Sequence, residues 1–247
     1  MTKTMLVTGA TSGIGLAAAR RFARENWRVI GTGRRGDRLR ALAEELGEAF
    51  LPLEIDMEDL ASVESLARLE RPWGDVDLLL NNAGFAPPQA SPQDADWAVL
   101  ESAISTNIIG LVALTRAALP RLIERRGTII NLSSVAATYP YKGGAVYGGT
   151  KAFVRQFSLD LRCDLEGTGV RVTSIEPGMV ETEFTVVRTG SQEASDKLYG
   201  NMDPLTADDV AEQVWWVASL PPHVNINTLE IMPVNQSWAG FAVHRKA

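Results

Sequence analysis

A chain of 247 residues, 45% hydrophobic and 22% charged, has the balance of a globular protein with one large core or two small ones. Its net charge of −6 offers no basic face to nucleic acid, and a single cysteine, Cys163, excludes an internal disulfide. Two histidines beside that one cysteine leave no Cys/His metal spacing, and no apolar run approaches the roughly 20 residues of a membrane span.

Met1 to Val7 enters a strand directly and is too short for the apolar region of a signal peptide, so a reducing cytoplasm is the expected location. The run Thr4 to Thr8 leads into Gly9-Ala10-Thr11-Ser12-Gly13-Ile14-Gly15, followed by helical spacing of Ile14, Ala17, Ala18 and Phe22. Strand, glycine-rich turn and helix in that order present free N–H groups to a phosphate. The spacing G-x-x-x-G-x-G differs from the usual G-x-G-x-x-G, and the competing reading is a tight turn with no ligand.

Arg28 to Arg35 reads as a second strand and its exit. Where an NAD site places an acid for the ribose 2′-hydroxyl, this chain has glycines and then Arg34 and Arg35. Guanidinium groups cannot accept from a hydroxyl but can grip a 2′-phosphate, which predicts NADP(H) over NAD(H). The alternative leaves both arginines solvated and gives the ribose to Asp37.

Asp37 to Leu46 reads as a helix closed by Gly47, and Ala49 to Ile55 as a third strand ending at Asp56-Met57. Asp56 either accepts from an adenine amino group or caps a helix expected from Glu58 to Leu69. Val76 to Leu80 is a nearly all-apolar strand, as expected when both sheet faces are covered. It ends in Asn81-Asn82-Ala83-Gly84, whose small residues let the chain pass close to a cofactor. A long helix from about Asp94 to Leu119 contains Asn107, an amide disfavoured there unless its side chain or a distorted carbonyl serves something else.

Gly127 to Leu132 is a fifth strand leading into Ser133-Ser134, and a helix from about Ala145 places Phe153, Val154, Phe157, Leu161 and Leu165 on a face suited to core or subunit contact. Val170 to Ile175 is the sixth strand, before Glu176-Pro177-Gly178. Residues 185–203 carry few large apolar groups and read as a mobile lid. A helix from Thr206 to Ser219 and a strand from Asn227 to Met232 follow. With no repeat or linker, this alternation predicts a single α/β domain over residues 1–247. Its core is a Rossmann-type doubly wound parallel sheet of about seven strands, with helices on both faces.

The densest chemistry lies in Tyr147-x-x-x-Lys151, with Ser134 upstream. On a helix, positions i and i+4 share a face. A free phenol has a pKa of about 10, and a neighbouring ammonium moves it toward the working range of a general acid/base. Taken alone, a tyrosine and a lysine at this spacing also fit an ordinary surface helix.

Thr8-Gly9-x-x-x-Gly13-x-Gly15, Asn81-Asn82-Ala83-Gly84, Asn107, Ser134, Tyr147-x-x-x-Lys151 and Pro177-Gly178, in this order, resemble the short-chain dehydrogenase/reductase family. Longer strings, such as Gly148 to Leu159 and Pro222 to Glu230, are similar to its bacterial NADP-dependent 3-hydroxy acid dehydrogenase branch. That resemblance implies Tyr147 as acid/base, Lys151 lowering its pKa and bonding the nicotinamide ribose, Ser134 polarising the carbonyl, and Asn107 holding a relay water. It implies cofactor contacts from Gly9, Ser12, Gly13, Ile14, Gly15, Arg34, Arg35, Asp56, Met57, Asn82, Ala83, Gly84, Pro177, Gly178, Val180 and Thr182, together with Tyr147 and Lys151. A homotetramer is the assembly it implies. The carboxylate of a 3-hydroxy acid needs a cationic partner, and Arg188 is the candidate on position alone; a solvated loop arginine is the competing view.

His223 and His244 fall outside these motifs, Cys163 reads as packing, and Trp215-Trp216 as core or subunit contact rather than a ligand platform. Two other functions compete: a broader carbonyl or 3-oxoacyl reductase, and a cofactor-binding sensor without turnover. The complete set Asn107, Ser134, Tyr147 and Lys151 argues against the sensor.

Overall fold

The computed structural model describes residues 2–238 and residue 243, so His244 lies outside the described residues. Its apolar runs become strands Thr4–Thr8 (β1), Arg28–Gly33 (β2), Phe50–Glu54 (β3), Leu78–Asn81 (β4), Thr128–Leu132 (β5) and Arg171–Pro177 (β6). Val180–Glu181 (β7) and Leu205–Thr206 (β8) pair only with each other, and Thr228–Ile231 (β9) completes a seven-stranded sheet in the order β3-β2-β1-β4-β5-β6-β9. All of its pairings are parallel; Val7, for example, lies opposite Gly31 on one side and Leu80 on the other. Because β1 pairs with both β2 and β4, the order reverses there, and a crevice opens at the carboxyl ends of those strands.

Alternate residues of each central strand enter two separate cores. Met5, Val7, Val29, Leu78, Leu80 and Ile130 pack under Gly13–Arg24 (α1), Gly36–Leu46 (α2) and Ala207–Ser219 (α9). Leu6, Ile30, Leu79, Ile129 and Val172 pack under Leu60–Ser65 (α3), Leu111–Arg125 (α5) and Ala145–Asp164 (α6). Burial on both faces explains why these strands read as continuous apolar runs. Phe22 meets Trp27 and Trp215 edge-on, each at 5.1 Å between ring centroids, which packs the half-buried Trp215 against the core.

Three boundaries differ from the sequence reading. The long helix is interrupted: Trp97–Ile104 (α4) passes into a π-helical turn, Ser105–Gly110, before α5. By length and composition Trp97–Arg125 is apolar enough to cross a membrane, a test that a buried core helix also meets. Here Leu100, Ala103, Leu111, Leu114, Ala118 and Leu122 put that apolarity into the interior of the fold. The helix expected from Glu58 begins at Leu60, and its cap is Asp59, which accepts from Ser62 N at 3.4 Å. Asp56 instead accepts from Glu58 N at 3.1 Å in the preceding turn. Finally, the stretch read as a lid forms two helices, Glu183–Thr189 (α7) and Gln192–Tyr199 (α8). Thr182 and Ser191 cap their starts, and Gly190, at φ 69°, ends the first in the left-handed region.

Candidate active site

A cleft of about 1300 Å³ occupies the crevice between the carboxyl end of the sheet and α7–α8. Among the residues expected at the site, Gly15 and Asn107 sit behind the wall and the others line it. Gly9, at φ 72°, takes a conformation that L side chains rarely adopt, and a Cβ there would come 2.9 Å from Asn82 Nδ2. A Cβ on Gly15 would collide with the Gly9 carbonyl, so this glycine lets α1 close onto the turn. Asn82 Nδ2 donates to Thr8 O at 2.7 Å, while Thr8 Oγ1 accepts from Asn82 N and Ala83 N at 3.0 and 2.9 Å. These bonds tie the end of β1 to the end of β4.

The cationic end of the cleft lies beyond β2. Arg34, with a mostly exposed side chain, approaches Asp56 at 3.9 Å. Arg35 donates to Thr11 Oγ1, to Ser12 Oγ at 2.7 Å and to Glu183 Oε2 at 2.8 Å. Arg38, one helical turn further on, donates to both Glu183 oxygens at 2.7 and 2.9 Å. The Arg35 hydrogen bond, helped by Arg38, holds the Glu183 carboxyl below the usual range. Asp37 lies in the first turn of α2 and does not line the cleft.

At the other end, Ser134 opens a short 3-10 turn, accepting from Ala136 N at 3.1 Å and donating to Pro177 O at 3.4 Å. Its hydroxyl also bonds the Tyr147 phenol. Desolvation pushes the Tyr147 pKa up, opposed by the Ser134 hydrogen bond and by the charge of Arg188. Burial is the largest influence on the phenol here, and the cation that opposes it is Arg188. Lys151 is buried, with Nζ 5.9 Å from the Tyr147 ring centroid and donating to Leu132 O at 2.7 Å. Burial lowers its pKa to about 8.

Asn107 lies in the π-turn with its side chain fully engaged: Nδ2 donates to Phe85 O and Thr150 Oγ1, and Oδ1 accepts from Phe85 N. The amide is therefore a clamp between the loop after β4 and α6.

Arg188, on α7, reaches into the cleft. Nε donates to Pro87 O at 3.0 Å and Nη2 to the Tyr141 hydroxyl at 3.1 Å. Its guanidinium carbon lies 5.6 Å from the Tyr141 ring centroid and 5.9 Å from that of Tyr147. The arginine expected from position alone thus stands beside the candidate acid/base.

Sequence reasoning missed four participants: Arg38, Glu183, Tyr141 and the network beneath the site. Asn81 Nδ2 donates to Asn131 Oδ1 at 2.8 Å and Asn131 Nδ2 to Ser158 Oγ at 2.9 Å, joining β4, β5 and α6. Ser133 Oγ adds a bond to Lys151 O at 2.8 Å. An asparagine inside Ile130-Asn131-Leu132 was the available signal, because a buried amide requires partners. Arg38 was visible as a third arginine one helical turn after Arg35.

Fold and site together define a dinucleotide-dependent oxidoreductase framework. The chain belongs to the short chain dehydrogenase family, whose pattern it matches over residues 3–193. It is 60% identical to a serine 3-dehydrogenase of Agrobacterium fabrum over the whole of both chains. With the NADP-dependent 3-hydroxy acid dehydrogenase YdfG of Salmonella typhi it shares 54% identity, covering 98% of this chain and 99% of that one. A solved closed form of serine dehydrogenase complexed with NADP+ superposes with a TM-score of 0.93 at 51% identity, covering 98% of this chain and 100% of that chain.

Proposed function

We propose that this protein is an NADP-dependent oxidoreductase interconverting short 3-hydroxy acids, of the serine, allo-threonine and 3-hydroxypropionate type, with the corresponding 3-oxo acids or semialdehydes. One observation carries the substrate class: Arg188 presents a guanidinium beside Tyr147, where a carboxylate two carbons from a reacting hydroxyl needs a charged partner. The names of the relatives point the same way.

The residues present fit a dinucleotide. Gly9 and Gly15 leave room for backbone approach at the start of α1, and Arg34, Arg35 and Arg38 gather where a 2′-phosphate requires cations. When bound, the nicotinamide supplies the hydride acceptor for oxidation and the donor for reduction. Tyr147 takes the alcohol proton in oxidation and returns it to the carbonyl oxygen in reduction. Ser134, held by Ala136 N, orients that oxygen. With a pKa of about 8, Lys151 is mostly charged at neutral pH and stabilises the phenolate as it forms. Asn107 keeps the wall behind Lys151 in place.

Exposed Phe153, stacked on Phe157, and exposed Trp216 support the homotetramer of the same reading, which also expects a cytoplasmic location. The test of the substrate class is turnover of L-serine against its methyl ester with NADP. Oxidation of the acid and failure of the ester supports the reading; equal rates point to a general carbonyl reductase.

A further inference from the structure

We propose that Glu183 is an internal competitor for the cofactor's 2′-phosphate and sets how strongly the site discriminates NADP(H) from NAD(H). This rests on the assignment of Arg34 and Arg35 to that phosphate.

Every arm of the Arg35 guanidinium is engaged: Nε and Nη2 by Thr11, Nη2 also by Ser12, and Nη1 by Glu183. Four of the five N–H groups are thereby used, and the fifth is on Nη1, the nitrogen Glu183 already holds, so a phosphate gripping Arg35 meets that carboxylate. Among these partners, Glu183 is the one whose charge matches the ligand. Two anions on one guanidinium also repel each other, so carboxylate and phosphate are alternatives. Arg38 holds the same carboxylate through a single nitrogen, so the carboxylate has a second cation to retain it when Arg35 turns away.

The geometry fixes where this exchange occurs. Glu183 is the first residue of α7, immediately after the cap Thr182. Thr182 lies against the glycine turn, where a Cβ on Gly13 would be 3.4 Å from its side chain. The carboxylate therefore hangs over the edge of the cleft, part of it in solvent. The ion pairs are partly exposed, with side chains of Arg35, Arg38 and Glu183 about 37%, 42% and 44% accessible, so each is modest and yields readily to a dianion. An NAD molecule gains nothing from breaking them. Glu183 thus reduces NADP affinity while leaving NAD affinity unaffected.

Calorimetric titration of the full chain with adenosine 2′,5′-bisphosphate and with AMP tests this directly, because the pair differs in the 2′-phosphate alone. Glu183→Gln should tighten the bisphosphate by roughly three- to tenfold, the range of a partly exposed charge pair, and leave AMP unchanged. Unchanged or weakened bisphosphate binding in Glu183→Gln would overturn the proposal, since the carboxylate would then be idle or would be organising the arginines. Arg35→Gln separates the underlying assignment. If it fails to weaken the bisphosphate relative to AMP, the placement of Arg35 at the phosphate is wrong. If it weakens binding while Glu183→Gln has no effect, the placement stands and the competitor fails.

Discussion

Asn107 and Phe85 exchange a pair of hydrogen bonds: the amide nitrogen donates to Phe85 O at 2.9 Å, and Phe85 N donates to Asn107 Oδ1 at 3.0 Å. The pairing resembles two strands of a ladder, with a side chain standing in for one backbone. It anchors the loop that follows β4 to the π-turn between α4 and α5, and a further bond to Thr150 reaches the helix carrying Tyr147 and Lys151. A regular helix through residues 105–110 would not present the amide in the same way, which gives the π-turn a purpose.

Asn107→Ala removes three bonds and leaves the part-buried Phe85 N without its acceptor. Each lost bond costs about 1 kcal/mol and a stranded buried group about 1–3 kcal/mol, so chemical denaturation should show a loss of roughly 3 kcal/mol, with a fall in kcat. An unchanged denaturation midpoint would show that the clamp contributes nothing.

Lys151 gives a pH signature in stability. Its folded-state pKa of about 8 lies below the ordinary 10.5, so the unfolded chain binds the extra proton between those values. Below pH 8 both states are charged and the desolvation cost is present in full; from pH 8 to 10.5 the cost fades and stability rises, by at most about 1.4 kcal/mol per pH unit. In Lys151→Met this dependence disappears, so wild type gains on the variant across that window. Parallel stability curves for the two proteins would contradict the burial argument.

Arg188→Ala should raise KM for hydroxy acids by about tenfold or more, through loss of roughly 1.5–3 kcal/mol from a charge-assisted bond, with less effect on kcat. Arg188→Lys should recover part of that loss. Because Arg188 also opposes the rise in the Tyr147 pKa, its removal should shift the acidic limb of the oxidation-rate profile upward in pH. A KM unmoved by either change would remove the arginine from the substrate site.

Much of this arrangement was readable before any coordinates. The alternation of apolar runs with helical spacing gives the doubly wound sheet because strands buried on both faces show no polar alternation, as Leu78 to Leu80 illustrate. Tyr147 and Lys151 are readable because one helix turn joins them. Ionic pairs that cross the chain were not: Arg35 and Glu183 lie 148 residues apart in sequence and meet only when α7 folds over the glycine turn. The π-turn is invisible to periodicity since it inserts a residue without changing composition. The two helices of residues 183–199 were masked by their polar surfaces, although Thr182, Gly190 and Ser191 carried the cap and stop signals. Arg188 was found by position and chemistry, but its seat between two tyrosines needed the tertiary fold.

The central claim, that Tyr147 drives NADP-dependent turnover of short 3-hydroxy acids, is tested most directly by initial rates on L-serine, L-allo-threonine and 3-hydroxypropionate. Each acid is assayed with NADP and with NAD, in wild type and in Tyr147→Phe. The account predicts turnover with NADP in preference to NAD, and a loss in the variant on the order of a thousandfold with cofactor binding retained. Silence of the wild type on all three acids despite cofactor binding, or full activity in Tyr147→Phe, would contradict it.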